Sequence, residues 1–266
     1  MEPGKSDGYG AGVSSGGRSA STRRRLLRGE GLLLDLSSHL REISTPPPVP
    51  AGWQVETALV AAGGAEIGGD FVVFDLAADA KRLSAVLVDT SGKGFAAATR
   101  SLMLAGAVSG LLGSVPTSDL LDRLNAHIHR RHNWEEHFAT AVHVEVDLTT
   151  GAYQLGVGGH VPPAIFHAGR GVWQLCEVGG AGLGFNPGGQ WPYVSGVLDP
   201  GDAILLVTDG VIERRGEDLA SGYDRLLGGA ERLITSGFRD AADTLLASRP
   251  PHGDDDAAVV FIHRQP

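Results

Sequence analysis

The chain has 266 residues, 42% of them hydrophobic, so it is long enough to build one large domain or two small ones around a sizeable core. Its formal net charge is −9, and because residues 1–41 hold seven basic and four acidic residues, the remainder carries −12. A body this acidic is a poor surface for nucleic acid or anionic lipid, which excludes both as expected partners.

The cysteine content and the N-terminal sequence pattern indicate in which cellular compartment the protein is expected. The single cysteine, Cys176, excludes an intrachain disulfide and an all-cysteine metal site, and it fits a reducing cytoplasm. One segment, 21–36, resembles an export signal because a basic run precedes leucines, but Glu30 and Asp35 interrupt its apolar part. We therefore expect a cytoplasmic protein with neither a signal peptide nor a membrane anchor.

The N-terminal region differs in composition from the rest. Residues 1–25 consist mostly of Gly, Ser and a few charges, and we expect them to be disordered. Between 26 and 45, apolar residues at steps of three and four predict a helix that leads into the domain at 46–266, with the apolar face Leu33, Leu36, Leu40 and Ile43. This helix is either a switch or dimerisation element, which would make a homodimer, or an element that only packs on the domain.

After residue 52 the pattern changes to short strands and then to helices. Three apolar runs separated by glycines and charges predict antiparallel strands: WQVETALV, GDFVVFDL and RLSAVLVD. Two helices are predicted next, over GKGFAAATRSLMLAGAVSGLLG and PTSDLLDRLNAHIHRRH. Lys93 and Arg100 in the first of these favour a buried core helix over a membrane span.

Residues 138–208 return to β structure, with close hairpin turns at LTTG and GRG that are typical of an antiparallel meander. Helices are then predicted over IERRGEDL, DRLLGGAERLI and DAADTLLAS, and a last strand over DAAVVFIHR. Runs of strands with paired helices between them indicate an α+β fold rather than alternating βαβ units.

Aspartates stand where the apolar strands begin or end: Asp70, Asp89, Asp209 and the triple at 254–256. If these strand ends converge, several carboxylates share a small volume, where they raise one another's pKa values or require a cation. An all-oxygen ligand set suits Mg²⁺ or Mn²⁺ better than Zn²⁺. Metal-assisted hydrolysis of a phosphate ester is the reaction class that such a site predicts.

Five blocks in this order resemble the SpoIIE/RsbU-type branch of the PPM-type, metal-dependent protein Ser/Thr phosphatases: GGDFVVFD, DTSGKGFAAA, FATAVHVEVDLTTGAYQLGVGGHVPPAIF, PGDAILLVTDGVIE and DDAAVVFI. The resemblance covers about residues 50–264. It implies the family's αββα sandwich, in which two antiparallel β-sheets are flanked by helices. It also implies a site for two Mn²⁺ or Mg²⁺ ions at one edge of the sandwich.

The resemblance assigns roles to individual residues. Asp89 corresponds to the carboxylate that bridges both metal ions, and the carbonyl of Thr90 to a ligand of the second ion. Asp209 and Asp255 correspond to ligands of the first ion, and Asp70 to part of the second ion's surroundings. The implied catalytic set is Asp89, Asp209 and Asp255, and the implied reaction is attack of a metal-bridging hydroxide on phosphoserine or phosphothreonine. The implied substrate is a STAS-domain, anti-anti-sigma type regulator.

The chain departs from the family pattern near the second metal. Where the family has a second aspartate after GGD, this chain has Val73, and Asp75 follows two residues later. This loss puts the affinity of the second site in question, so a catalytically weak or inactive binding module is the alternative function. Within the aspartate triple, a slip of one residue would move the ligand from Asp255 to Asp254.

Other motifs allow two interpretations each. His160, in GGHVPP, is either a proton donor to the leaving oxygen or a hydrogen-bonded structural histidine. The histidines at 127, 129, 132 and 137 match no closed zinc motif and are predicted to be a solvated helix face. The GGAGLG segment at 179–184 superficially matches a dinucleotide loop, but no βαβ unit follows it, and we expect a flexible loop.

Overall fold

The structure is a computed structural model, and it describes residues 1, 38–64, 68–92, 95–130, 138–214, 216–249 and 255–266. The predicted disordered segment therefore lies outside the described residues except for Met1, and so does the first part of the predicted N-terminal helix. The same holds for the side chains of Lys93 and Asp254 and for two of the histidines, at 132 and 137.

Ten strands in the described residues form two antiparallel sheets. Sheet A contains β1 (Trp53–Val60), β6 (Ala164–His167), β7 (Val172–Leu175), β9 (Ala203–Val207) and β10 (Ala257–Arg264). Sheet B contains β2 (Phe71–Leu76), β3 (Arg82–Thr90), β4 (Ala139–Asp147), β5 (Ala152–Gly158) and β8 (Tyr193–Val197). The strand order is β1-β10-β9-β6-β7 in sheet A and β2-β3-β4-β5-β8 in sheet B.

Helices cover the outer face of each sheet. Sheet B carries α1, helical over 38–43 in the described residues, with α2 (Phe95–Leu111) and α3 (Leu120–His129). Sheet A carries α4 (Asp209–Ile212), α5 (Leu219–Glu231) and α6 (Ala241–Ala247). Two antiparallel sheets between helix layers confirm the predicted fold class. Within the described ranges, no helix combines the length and the apolarity that crossing a bilayer needs.

Three apolar layers hold the sandwich together, and strand periodicity explains them. On β10, Val260 and Ile262 pack between the sheets, whereas Val259 and Phe261 pack against the helices of sheet A. Successive side chains on a strand point to opposite faces, so a strand covered on both faces must be apolar throughout. This requirement explains why the central strands read as continuous apolar runs rather than as alternating ones.

The end of α1 is fastened to the strand that follows Asp70. Leu40 is buried in the apolar layer between sheet B and its helices. The Ser44 hydroxyl accepts a hydrogen bond from the Val72 amide (3.0 Å) and donates one to the Val72 carbonyl (2.9 Å). Residues 38–44 therefore pack on the domain, as one of the two interpretations of this helix expects.

The predicted helix over IERRGEDL is wrong. The short helix α4 ends at Ile212, and the described residues between it and α5 are not helical. Gly216 has a positive φ of 84°, which a continuing helix does not allow. The Asp218 carboxylate then accepts a hydrogen bond from the Ser221 amide (2.9 Å) and caps a new helix, which begins at Leu219.

A buried histidine lies between sheet B and its helices. His143, on β4, is 1% exposed, and its Nδ1 is 2.9 Å from the Tyr193 hydroxyl. Its Nε2 is buried and has no hydrogen-bond partner among the described residues. Burial lowers the pKa of His143 to about 3, because the charged imidazolium would lose its hydration there.

The protein should therefore lose stability as the pH falls, because His143 is buried in its neutral form. The unfolded chain takes up a proton near pH 6.5 and the folded state only near pH 3, so this contribution is complete above pH 6.5 and is lost as the pH falls. Between pH 7 and pH 5, His143→Leu should lose about 2 kcal/mol less unfolding free energy than the wild type. Urea unfolding at both pH values measures this. Tyr193→Phe, which keeps the imidazole, is the control, and equal pH slopes in the wild type and His143→Leu would contradict the prediction.

Candidate active site

The aspartates that end the strands meet at one edge of the sandwich. In sheet B, Asp89 on β3 pairs with Thr140 on β4, and β2 begins beside it, with Phe71 opposite Val88. In sheet A, β9 ends next to the start of β10, where Val207 pairs with Val259. The edge therefore collects the residue before β2, the end of β3, the residue after β9 and the residues before β10.

Thr208 connects the two sheets at this edge. Its side-chain oxygen accepts a hydrogen bond from the Ala258 amide (2.8 Å) in sheet A. Its hydroxyl is also close enough to the carboxylate of Asp70, which precedes the first strand of sheet B, to lower the pKa of that group. Because Asp209 follows Thr208 directly, the same contact brings Asp209 and Asp70 into one neighbourhood.

Asp70 is perturbed by acids from both sheets. Burial raises its pKa well above the usual range, and the negative charges of Asp89, Asp256 and Asp209 raise it further, against the hydrogen bond from Thr208. One of its carboxylate oxygens, Oδ2, is buried without a hydrogen-bond partner among the described residues. A buried oxygen of this kind is available to a cation.

The pKa of Asp89, like that of Asp70, depends on groups on both sheets. Burial raises its pKa to about 7, followed by the charges of Asp209 and Asp255, while a hydrogen bond with Asp70 acts in the opposite direction. The Asp209 pKa is also raised, first by burial and then by Glu213 and Asp255. The structure thus brings together Asp70, Asp89, Asp209 and Asp255, the four carboxylates that the sequence singles out.

Asp256 has a role that the sequence did not assign. Its carboxylate accepts hydrogen bonds from the Ala62 amide (2.7 Å) and from the Gly69 amide, so it fastens the segment that leads into Asp70. Asp255 is exposed, and its own carboxylate accepts from the Asp256 amide (3.1 Å). The two neighbouring aspartates therefore have different contacts, which follow from the register of β10.

Two glycines allow this edge to close. A Cβ on Gly69 would lie 2.8 Å from the Thr90 carbonyl oxygen, closer than real side chains come. A Cβ on Gly210 would overlap the Asp256 carbonyl. The glycines of the GGD and TDG blocks are thus required by the approach of backbone to backbone.

Thr90 positions the loop before Asp70 with its side chain. Its hydroxyl oxygen lies 3.1 Å from the Gly69 carbonyl and 2.9 Å from the hydroxyl of Ser101, a fully buried residue of α2. The main-chain carbonyl of Thr90 faces Gly69 on the same side. Thr90 can therefore both anchor the loop to α2 and offer a backbone oxygen at the site.

His160 is a structural crosslink between the sheets. Its Nε2 donates to the Val207 carbonyl (2.9 Å), so Nδ1 accepts from the Thr140 hydroxyl (2.7 Å). Burial lowers its pKa to about 4, partly opposed by the bond to Val207. With both ring nitrogens engaged in hydrogen bonds, His160 has no free N–H to offer to a leaving group, which favours the structural interpretation.

Neither Val73 nor Asp75, the two positions that the sequence raised for the second metal, supplies a further carboxylate to the site. Val73 is buried in the apolar layer between β2 and α2. Asp75 pairs with Ser84 and lies near Gly113, roughly 16 Å along the chain from Asp70 at 3.3 Å per residue. Asp75 therefore does not replace the acid that the family has at position 73.

The donor set fits a hard divalent cation. The side chains that converge here are carboxylates. The pKa values of Asp70, Asp89 and Asp209 are each raised by the negative charges of neighbouring acids. In the part of the chain that the structure describes, no three such side chains form a closed ligand group. A cation here would complete its coordination with water and backbone oxygen, as Mg²⁺ commonly does.

Comparison with known proteins gives a family match and similar structures. Residues 79–265 match the family model of stage II sporulation protein E (SpoIIE). The RsbU and RsbW domains of Rv1364c from Mycobacterium tuberculosis are similar, with a TM-score of 0.73 and 27% identity over 84% of this chain and 62% of that one.

Two further structures share the fold at lower identity. For the PP2C phosphatase domain and regulatory fragment of SpoIIE from Bacillus subtilis, the TM-score is 0.68 and the identity 20%, over 79% of this chain and 63% of that one. For the SiaA-PP2C domain of Pseudomonas aeruginosa, the TM-score is 0.69 and the identity 17%, over 93% of this chain and 99% of that one. The chain thus spans about three fifths of the Rv1364c and SpoIIE chains.

Proposed function

This chain belongs to the SpoIIE family, and from that membership we propose that it is a divalent-metal-dependent phosphatase acting on phosphoserine or phosphothreonine in a regulatory protein. The family match over residues 79–265 confirms the resemblance and spans four of the five sequence blocks. The observation that carries the proposal is the convergence of Asp70, Asp89 and Asp209, whose mutual repulsion is relieved when a cation binds.

The roles that we propose for the residues follow from their positions. For Asp89 we propose the bridging position, since it ends β3 beside the start of β2 and its pKa is raised by the charges of Asp209 and Asp255 from sheet A. Asp209 and Asp255 reach the site from sheet A, and Asp70 with the Thr90 carbonyl from sheet B. Two Mn²⁺ or Mg²⁺ ions bound there would supply an activated water and neutralise the phosphate charge.

The substrate that we propose is a phosphorylated STAS-domain regulator of a partner-switching pathway. Support comes from the RsbU and RsbW domains of Rv1364c, and from a similar structure described under the bacterial stressosome, with a TM-score of 0.56 and 20% identity. The net charge of −9 agrees with a protein substrate brought to the site through bound cations rather than through a basic surface.

Phosphate release tests the proposal. With millimolar Mn²⁺, the purified chain should hydrolyse p-nitrophenyl phosphate and a STAS-domain phosphoprotein, and EDTA should stop both reactions. An Asp209→Asn preparation, purified in parallel, measures contaminating phosphatase. The phosphatase proposal fails if neither substrate is hydrolysed above that background.

Val73 motivates the second candidate, a module that binds its partner without efficient catalysis. Its apolar burial leaves the second metal position with one acid fewer than the family pattern. Calorimetric titration with Mn²⁺ separates the candidates, because a chain that binds no Mn²⁺ at millimolar concentration would be a binding module.

Asp70 and Asp75 form a matched pair for testing the second metal position. Asp70→Asn should raise the Mn²⁺ concentration for half-maximal turnover by about tenfold or more, since it removes a charged ligand from a buried site. Asp75→Asn removes the same charge from a residue outside the site and should change that concentration less than twofold. A Mn²⁺ titration of p-nitrophenyl phosphate turnover measures both. Equal shifts in the two variants would show that Asp75 also serves the site.

A further inference from the structure

Two exposed phenylalanines touch each other on the surface. Seven phenylalanine side chains are described, and only Phe138 (40%) and Phe185 (62%) are exposed. Their ring centroids are 4.6 Å apart with an interplanar angle of 31°. We refer to these two residues as the Phe pair. Exposing aromatic rings to water is unfavourable, so two such rings in contact on the surface indicate a site for binding another molecule.

The loop that carries Phe185 is held in place. Asn125, a 1% exposed residue of α3, accepts a hydrogen bond from the Gly184 amide and donates one to the Asn186 carbonyl, both at 2.9 Å. The buried amide thus clamps the residues on either side of Phe185. The glycine-rich segment expected to be a flexible loop is therefore fastened, and Phe185 is presented to solvent on a fixed support.

A second set of contacts joins this loop to the start of β4. Leu183 and Ala139 exchange backbone hydrogen bonds of 2.8 and 3.1 Å. The Phe185 ring covers Gly182, where a Cβ would lie 2.8 Å from the ring. Phe138 and Phe185 are brought together by backbone pairing, so the contact between their tilted rings does not depend on side-chain packing alone.

The Phe pair lies next to the proposed catalytic edge. The Ser91 amide donates to the Phe138 carbonyl (3.1 Å), and the Phe138 amide donates to the Ser91 hydroxyl (3.3 Å). Thr140, two residues after Phe138, pairs with Asp89. At about 3.3 Å per residue, Phe138 is therefore about 7 Å from the level of Asp89 along the strand direction.

We propose that the Phe pair docks an apolar side chain of the phosphoprotein substrate, located within three residues of the phosphorylated serine or threonine. The inference rests on the proposed function, since it requires a phosphate at the aspartate edge. An extended peptide advances about 3.3 Å per residue, so a side chain two or three positions from the phosphate reaches the rings. We assign the substrate segment as the occupant because Ser91, two residues after Asp89, is hydrogen-bonded to Phe138 and so joins the Phe pair to the aspartate edge.

Peptide binding to the Mn²⁺-loaded protein tests the proposal independently of turnover. The probes are fluorescein-labelled alanine-rich peptides with a non-hydrolysable difluoromethylene phosphonate in place of phosphoserine. Leucine is placed in turn at each of the three positions on either side. We expect at least one leucine position to tighten binding about tenfold over the alanine peptide, as burial of one leucine allows.

Variants of the Phe pair locate this preference. Phe138→Ala and Phe185→Ala should each remove most of the leucine preference, and Phe185→Leu should restore part of it. Val197→Ala is the matched control, because Val197 is 58% exposed but pairs with Ala152 at the opposite end of sheet B. The thermal midpoint and Mn²⁺ affinity of each variant show whether the site is still formed.

The outcomes separate the docking proposal from the proposed function. Docking is overturned if no leucine position matters, or if Val197→Ala lowers the preference as much as Phe185→Ala does. It is also overturned if Phe185→Ala abolishes self-association in sedimentation while peptide preference is unchanged, because the occupant is then a second copy. A wild type that shows the leucine preference but hydrolyses neither p-nitrophenyl phosphate nor the STAS-domain phosphoprotein overturns the phosphatase proposal and supports docking.

Discussion

Asp89→Asn is expected to lower Mn²⁺-dependent turnover of p-nitrophenyl phosphate by roughly three orders of magnitude, because it removes the carboxylate that we propose bridges the two metal ions. The substitution keeps the size and shape of the side chain, so the loss reports charge rather than packing. Asp75→Asn, the same change outside the site, should leave turnover within about twofold. Turnover is measured at saturating Mn²⁺ to separate catalysis from metal affinity.

The same substitution should stabilise the metal-free protein. The folded pKa of Asp89 is raised to about 7, so the stability linked to this group is complete below its unfolded pKa and is lost as the pH rises to 7. In EDTA at pH 8, Asp89→Asn should therefore exceed the wild type by about 4 kcal/mol of unfolding free energy. At pH 5 the difference should be much smaller.

Urea unfolding in EDTA at the two pH values checks this, with Asp75→Asn again as the control. A loss of activity together with a loss of stability would mean that Asp89 serves the fold instead of a cation. Loss of activity with a gain in metal-free stability is the pattern of a site whose charges are held together for function at a cost to the fold.

The architecture was predictable because its signals are local. WQVETALV and β1 have the same bounds, Trp53–Val60, since a tryptophan-led apolar run with a glycine before it has few alternatives to a strand. The convergence of Asp70 and Asp89 was predictable for a related reason. In antiparallel sheets, a residue that precedes one strand and a residue that ends its neighbour lie at the same edge.

What the sequence did not reveal depends on partners far along the chain. The fastening of the loop around Phe185 comes from Asn125, about 60 residues earlier, whose burial no local pattern indicates. The different contacts of Asp255 and Asp256 depend on the register of β10. Identical residues in a row do not show from the sequence which of them makes which contact. The break after α4 was missed because a charged segment such as ERRGED has helical composition, and Gly216 outweighs it.

Asp256→Ala tests whether an aspartate that fastens the backbone matters as much as one that would hold a metal. It leaves the Ala62 and Gly69 amides without their acceptor, and two lost charge-assisted hydrogen bonds are worth about 3 kcal/mol. We expect the metal-free protein to lose about that much unfolding free energy. The segment before Asp70 would be released, so the Mn²⁺ concentration for half-maximal turnover should rise by about tenfold or more.

Asp255→Ala is the matched comparison, because it removes the same carboxylate one residue earlier. Asp255 is exposed, and surface substitutions usually change stability little, so its loss should lower turnover sharply but change metal-free stability by less than about 1 kcal/mol. Urea unfolding in EDTA and a Mn²⁺ titration of turnover measure the two properties separately. If Asp255→Ala is the destabilised variant and Asp256→Ala the merely inactive one, the two roles are exchanged and Asp256 faces the cation.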